Sequence, residues 1–267
     1  MNSHLYSDCE QCFGICCVAL PYAQSADFAF NKESGIPCRN LCHDHRCGIH
    51  DHLRDKGFHG CVAYECFGAG QHVSQEIFKG RDWRDHPELS SEMFEVFPIV
   101  QQIHEMLYYL HQALDLEETS SIHNELRRVY DKTLSLTYLH PKEILRLDVP
   151  GHRAVVNQLL LTTSDLVRKD HLQSNKNSKI RKDSVGANFE GANLRGVNFR
   201  GALLIAANLR NADLRKVDFI GADLRDADLS GANLTECIFL TQAQVNSAKG
   251  NTKTRLPRDL KTPVHWL

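Results

Sequence analysis

A five-residue period governs the C-terminal third of the chain and limits what that third can fold into. From Ala187 the sequence runs ANFEG, ANLRG, VNFRG, ALLIA, ANLRN, ADLRK, VDFIG, ADLRD, ADLSG, ANLTE and CIFLT, eleven units without an insertion. Leu or Phe stands at every centre, from Phe189 to Phe239, and Ala, Val or Cys stands two positions earlier. Neither a helix of period 3.6 nor an alternating strand repeats in fives. A chain that turns a corner every five residues does, with the small and the large residue both facing inward. Between them lies Asn or Asp in every unit but two, where Leu203 and Ile238 take the place. Such side chains bond the local backbone at turns. Four units then close a coil of twenty residues. Val197, Val217 and Cys237 recur at that spacing, as do Phe199, Phe219 and Phe239. Cys237 fills a slot otherwise held by Val or Ala and reads as a small core residue.

These residues resemble the pentapeptide-repeat family, A(D/N)LXX, over about Ala187 to Thr241. The resemblance implies a right-handed quadrilateral β-helix within residues 185–267, including its C-terminal cap. An exposed last coil needs such a cap, and Trp266 and Leu267 are its expected anchors. The residue after each centre faces outward. It is Arg at Arg195, Arg200, Arg210, Arg215 and Arg225, while Ile205, Ile220 and Leu240 gather near one corner. Grouped apolar residues predict a covered surface, and the helical segment is the expected cover. Some members of the family mimic DNA and shield a topoisomerase. Against that role, fewer than three coils at ~4.8 Å span only about 14 Å, and the outward row is basic. A protein-docking or stabilising platform is the expected role.

Nine of the ten cysteines fall within the first 66 residues, as C9-x2-C12-x3-C16-C17, C38-x3-C42-x4-C47 and C61-x4-C66. A disulfide scaffold and a metal site compete for such a cluster. The opening MNSHLYSDCEQC has no basic stretch followed by an apolar one, so no export signal is expected. No apolar run approaches the ~18 residues of a membrane span. A reducing cytoplasm is therefore the expected compartment, and there clustered thiols favour metal. Thiolates two to four residues apart meet one tetrahedral ion when a turn separates them. Gly14, Pro37, Gly48, Gly57 and Gly60 supply turns. Nine thiols exceed one four-ligand site and suffice for two, either as zinc or as iron–sulfur clusters held by four thiolates each.

The run CEQCFGICC, with PCRNL, CGIH and GCVAYEC after it, is similar to the YkgJ-like family of zinc- or iron-chelating domains. It departs from that family in the gap before Cys16-Cys17 and in Gly57-Phe58, which replace the usual Arg-Pro pair. The resemblance implies metal ligation by Cys12, Cys16, Cys17, Cys38, Cys47, Cys61 and Cys66, with Cys9 as an eighth ligand. Zinc is the expected ion, with an iron–sulfur cluster as the alternative. Cys42 and His50 stay open as ligands. His43, His45, His52 and His59 read as surface groups or as hydrogen-bond partners of a thiolate.

Four segments follow: a Cys-rich module over 1–84, a helical segment over 85–170, a basic linker over 171–184 and the repeats with their cap over 185–267. In the second, Asp85-x-x-Glu88 resembles a capping box, and Val96, Val100, Ile103, Leu107, Leu110 and Leu114 form an amphipathic stripe. Further helices are predicted at 122–136 and, after a Val149-Pro150-Gly151 break, at 153–167. His104 and His111 lie beside the stripe and read as ordinary helix residues. The linker carries Lys176, Lys179, Arg181 and Lys182 without interleaved aromatics, which does not suit nucleic-acid binding. A formal net charge of −2 points the same way. With no acid–base pair or cofactor motif legible, the expectation is a metal-binding protein with a docking platform, in metal handling or self-protection. A metal-dependent enzyme is the alternative, and a topoisomerase-protecting resistance protein a second.

Overall fold

A computed structural model of the chain describes residues 3–171 and 182–267. Most of the basic linker, with Lys176, Lys179 and Arg181, lies outside the described residues. The chain divides into two compact units. One comprises Met1–Leu116 and Ser120–Leu160, the other Glu117–Thr119 and Leu161–Leu267.

The first unit is helical. Its short elements are α1 (Cys16–Ala19), α2 (His59–Val62) and α3 (Ala69–Gln71), the last running directly into a π-helical turn over His72–Ile77. Then come α4 (Ser90–Leu114), α5 (His123–Leu136), α6 (Pro141–Ile144) and α7 (Val149–Arg168), whose last residues belong to the second unit. The apolar stripe of α4 is the spine. Val96, Val100, Ile103, Leu107 and Leu110 are buried. Ile15 before α1, Ala19 of α1, Ala69 of α3, Val73, Phe78 and Ile144 of α6 pack with Met93, Val96, Phe97 and Val100.

Two helix starts differ from expectation. No side chain caps α4; of the expected capping box, Asp85 precedes and Glu88 lies within a 3-10 turn over Pro87–Leu89. The Val149-Pro150-Gly151 sequence begins α7 instead of breaking the chain. Proline is compatible with a first helical turn, and Asp148 Oδ1 accepts from Gly151 N at 3.0 Å there.

The second unit corrects the expected fold. No β-strand, sheet or β-helix forms among the described residues; regular secondary structure is helical, in eight α-helices. The repeats meet through isolated parallel bridges at a register of twenty, such as Asn188 with Asn208 and Asp218 with Ile238, and through single N–H bonds from the fifth residues, such as Gly191 N to Arg210 O at 2.8 Å. The physical reason lies in how each unit uses its five residues. From Asp183 to Asn233, at every unit except that of Leu203, the Asn or Asp Oδ1 accepts the N–H two residues on, as in Asn198 to Arg200 at 2.9 Å. Every fifth position from Gly186 to Gly231 has a positive φ, between 55° and 72°. With a capped turn and a left-handed residue in each unit, one residue is left to bridge, and no two consecutive residues pair.

The inward residues form one core. Phe199 stacks on Phe219 at 5.9 Å, and Phe199, Phe219 and Phe239 are fully buried. Cys237 packs against this core, and burial raises its thiol pKa. Leu240, expected outward, is buried in it. Arg200, Arg210, Arg215 and Arg225 pair with Asp218, Asp228, Asp213 and Asp223. The final turns of α7 cover Asp218, whose carboxylate accepts a bond from Ser164 and faces Arg168. At the other end α8 (Gln242–Ser247) carries a Thr241/Gln244 capping box, and Gln244 Nε2 donates to Phe219 O and Ala222 O. Trp266 is buried and donates Nε1–H to Ala248 O at 3.1 Å, whereas Leu267 is 81% exposed. Trp266 alone of the two expected anchors is buried.

Candidate functional site

All the clustered thiols belong to the first unit, and each is set by a local turn. Gly14, at φ +64°, sharpens the turn into α1; a Cβ there would sit 2.8 Å from His45 O. Cys16 and Cys17 open α1. Cys38 is tied to it by its N–H, which donates to Cys17 O at 2.9 Å. Leu41 and Cys47 form an antiparallel bridge, bringing Cys47 back towards Cys38. Cys61 lies on α2 and Cys66 just before α3. Gly70 lets two sulfurs approach its backbone. A Cβ there would lie 2.7 Å from Cys12 Sγ and 3.9 Å from Cys66 Sγ.

The electrostatics sort the eight candidate ligands into two groups. Cys9 is exposed at the surface; partial burial, then Cys12, Cys66 and Cys17, raise its thiol pKa. Burial also raises Cys12 and Cys66, with Cys66 adding to the shift at Cys12. Ser7 Oγ lies 2.9 Å from Cys66 Sγ and also bonds to Glu65. In the second group, burial raises Cys61 to about 12, with Cys17, Cys38 and Cys47 as its charged neighbours. Burial raises Cys47 too, and Cys17 and Cys38 add to it.

Cys16 and Cys17 are where the groups abut, their sulfurs 4.0 Å apart. Donation from Cys16 to Cys17, then burial, holds the Cys16 thiol well above the ordinary value. The same bond lowers Cys17 against burial, and the Lys32 ammonium assists. Besides Cys17, the thiols that act on Cys16 are Cys12 and Cys66. Cys12, Cys16 and Cys66 thus neighbour one another, as do Cys17, Cys38, Cys47 and Cys61, while Cys9 is acted on by Cys12, Cys66 and Cys17.

Each group has polar company that sequence reading did not assign. Lys32 is buried (5% exposed) and its Nζ donates to Val18 O and Leu20 O, both at 2.7 Å. Burial lowers its pKa, and Cys38, Cys17 and Cys16 counter that. Tyr22 donates its hydroxyl to Cys38 Sγ at 3.2 Å. The Tyr64 hydroxyl is buried without a hydrogen-bond partner; burial and then Cys16 and Cys66 raise its pKa. A lone buried lysine gives no motif to find. Tyr64 lies three residues after Cys61 and two before Cys66, within the GCVAYEC run.

The outlying candidates are not drawn in. Cys42 and His50 are exposed, as are His43 and His52. His45 Nε2 bonds to Asp82 Oδ2 at 2.6 Å and its ring packs against Phe13 and Trp83. All ten cysteines are free thiols. Among the described residues, no three Cys, His, Asp or Glu side chains stand closely enough to enclose an ion. In kind, the donor chemistry suits a thiophilic metal: eight thiols, with a buried unsatisfied hydroxyl and a buried lysine near them.

Comparison with known proteins places the chain. The family described as Pentapeptide repeats matches in eight copies, over residues 185–219 and 202–239. The Bacillus subtilis (strain 168) protein described as "Uncharacterized protein YybG" is 60% identical over 264 residues, covering 98% of this chain and 95% of the relative. The chain belongs to the YybG family. The likeness runs through the thiol-rich unit as well as the repeats, so the two form one conserved length of chain in both proteins. No solved structure matches. No helix among the described residues is long and apolar enough to cross a membrane.

Proposed function

We propose that the protein is a metal-binding protein holding two thiolate-ligated centres, each of four cysteines, with the repeat coil as a protein-docking or stabilising platform. The first centre takes Cys9, Cys12, Cys16 and Cys66, and the second Cys17, Cys38, Cys47 and Cys61. The observation that carries this reading is the division at Cys16-Cys17. Of these adjacent residues at the start of one short helix, Cys16 has Cys12 and Cys66 as further thiol neighbours, whereas Cys17 acts on Cys47 and Cys61, which supports assigning the two to different centres. The resemblance to YkgJ-like domains supports the same eight residues. Zinc suits four thiolates and a closed structural site. Ligation deprotonates thiols that burial now keeps protonated, so uptake releases protons. Tyr64 would donate its unused hydroxyl to the first centre, and Lys32 would balance charge beside the second.

A second reading, iron–sulfur clusters, rests on the same sets of four. Anaerobic purification of the full chain separates the two. Colourless protein with close to two zinc ions supports the proposal. Brown protein containing iron and sulfide supports the clusters, and metal-free protein with intact thiols rejects both. A metal-handling or self-protection role follows only if the loaded protein captures a partner that the repeat coil alone retains.

A further inference from the structure

Besides the thiols, the first unit holds four histidines that interact with one another: His104 and His111, which read as ordinary helix residues in the sequence, and His4 and His72. His104 sits on the core side of α4 and is 1% exposed. Its Nδ1 bonds to Phe67 O at 2.9 Å, which places the proton on Nδ1 and leaves Nε2 as a lone-pair donor. That Nε2 is buried and has no hydrogen-bond partner. His72, the first residue of the π-helical turn, is fixed in the complementary way. Its Nε2 bonds to Thr137 O at 2.9 Å, leaving Nδ1 as the lone-pair donor. A histidine that donates its other ring N–H to a backbone carbonyl is arranged as metal-ligating histidines are, and π-helical turns concentrate at functional sites.

The spacing fits as well. The His72 and His104 rings lie 5.0 Å apart, tilted by 56°. Two imidazoles on one tetrahedral ion, each nitrogen about 2.1 Å from it, have ring centroids roughly 5 Å apart. Further donors are at hand. His4, exposed on the N-terminal turn Ser3–Leu5, feels the charge of both His72 and His111, and His104 feels His4. His111 lies two turns beyond His104 on α4; its buried Nε2 lacks a hydrogen bond and lies 3.7 Å from Asp115 Oδ2. Burial lowers the pKa of His72 and His104, favouring the neutral form that binds metal.

We infer that His72 and His104 are the preformed half of a binding site for one divalent transition-metal ion of the zinc, cobalt, nickel and copper class, completed by His4. The ion draws His4 inward from its exposed turn, with His111 or water as the fourth ligand. This site is separate from the thiol centres and would exist whether or not they take up metal.

The test is a titration of the full chain with Co²⁺ alone, followed by visible and near-ultraviolet absorption. Cobalt on thiolates produces an intense near-ultraviolet charge-transfer band, whereas cobalt on imidazoles adds visible absorption without it. The wild-type chain is expected to bind one equivalent that adds no charge transfer. His72→Gln and His4→Ala each weaken that equivalent by at least about tenfold, leaving any charge-transfer band unchanged. His104→Ala removes it. Should the buried His104 variant fail to fold, as far-ultraviolet circular dichroism shows, the other two variants decide. An unchanged imidazole-type signal in His72→Gln overturns the inference, and so does a wild-type chain whose only bound cobalt carries the thiolate band.

Discussion

Single atoms decide how close the thiols come. A Cβ at Gly70 would overlap Cys12 Sγ, so Gly70→Ala must displace a ligand of the first centre. The expected result is loss of one metal equivalent, with the second centre intact, read by metal analysis of purified protein. Tyr64 offers a converse test. A buried hydroxyl without a partner costs about 1–3 kcal/mol, so Tyr64→Phe should leave the metal-free protein as stable or more so. The same change should weaken metal at the first centre, because the hydroxyl is then missing from a thiolate. Denaturation of metal-free protein and a chelator competition measure the two effects separately. In the repeats, Ala206 is exposed at φ +55°, where a left-handed residue with a Cβ costs about 1–2 kcal/mol. Gly occupies the equivalent place in the units at Gly191, Gly196 and Gly201, and Ala206→Gly should raise the unfolding midpoint. A lower midpoint would show that side-chain packing, rather than backbone strain, governs that turn.

At the scale of elements, capped turns and a sealed end hold the repeat coil together. Trp266 shields the last coil and lies against Gly250. Trp266→Ala should cost about 3–5 kcal/mol, while deleting exposed Leu267 should cost little. Acid acts through the same turns. Bonds from Arg215 hold the Asp213 carboxyl below its ordinary value, and Lys216 does the same for Glu118. Burial pushes Asp223 and Asp228 up, but bonds from Arg225, and from Ser230 and Arg210, outweigh it. Groups with depressed folded pKa values stabilise fully above their unfolded values, here 4.5 for Glu and 3.8 for Asp. Their contribution disappears as the pH falls through the lower folded values. Buried Asp218 works in the opposite sense, because burial raises its pKa and protonation relieves a penalty. The repeat unit should therefore lose stability below about pH 4.5, and Asp218→Asn should deepen neither that loss nor its onset. Thermal melts across pH 3–7 check this.

Across the whole molecule, legibility followed the length over which a pattern repeats. The twenty-residue spacing of Val197, Val217 and Cys237 gave the register of the bridges, because every inward slot must meet its copy one turn later. It did not reveal that one bridging residue per turn is too few for a strand. That depends on the left-handed fifth residue, which Ala206, Asn211, Lys216 and Asp226 occupy as well as glycine. The outward assignment of Leu240 fails because the capped turns end at Asn233 and the left-handed series at Gly231, before the chain departs for α8. The thiol spacing named candidate ligands but not their partition, since Cys66 meets Cys12 only through the close approach at Gly70. His72 and His104 left no trace, as 32 positions separate two residues that share one contact. The central claim, two independent centres divided at Cys16-Cys17, is tested most directly by metal stoichiometry of anaerobically purified wild-type, Cys12→Ala and Cys61→Ala chains. The account predicts two zinc ions in the wild type and one in each variant, the survivor differing between them. Wild-type protein without metal, or either variant losing both ions together, would contradict it.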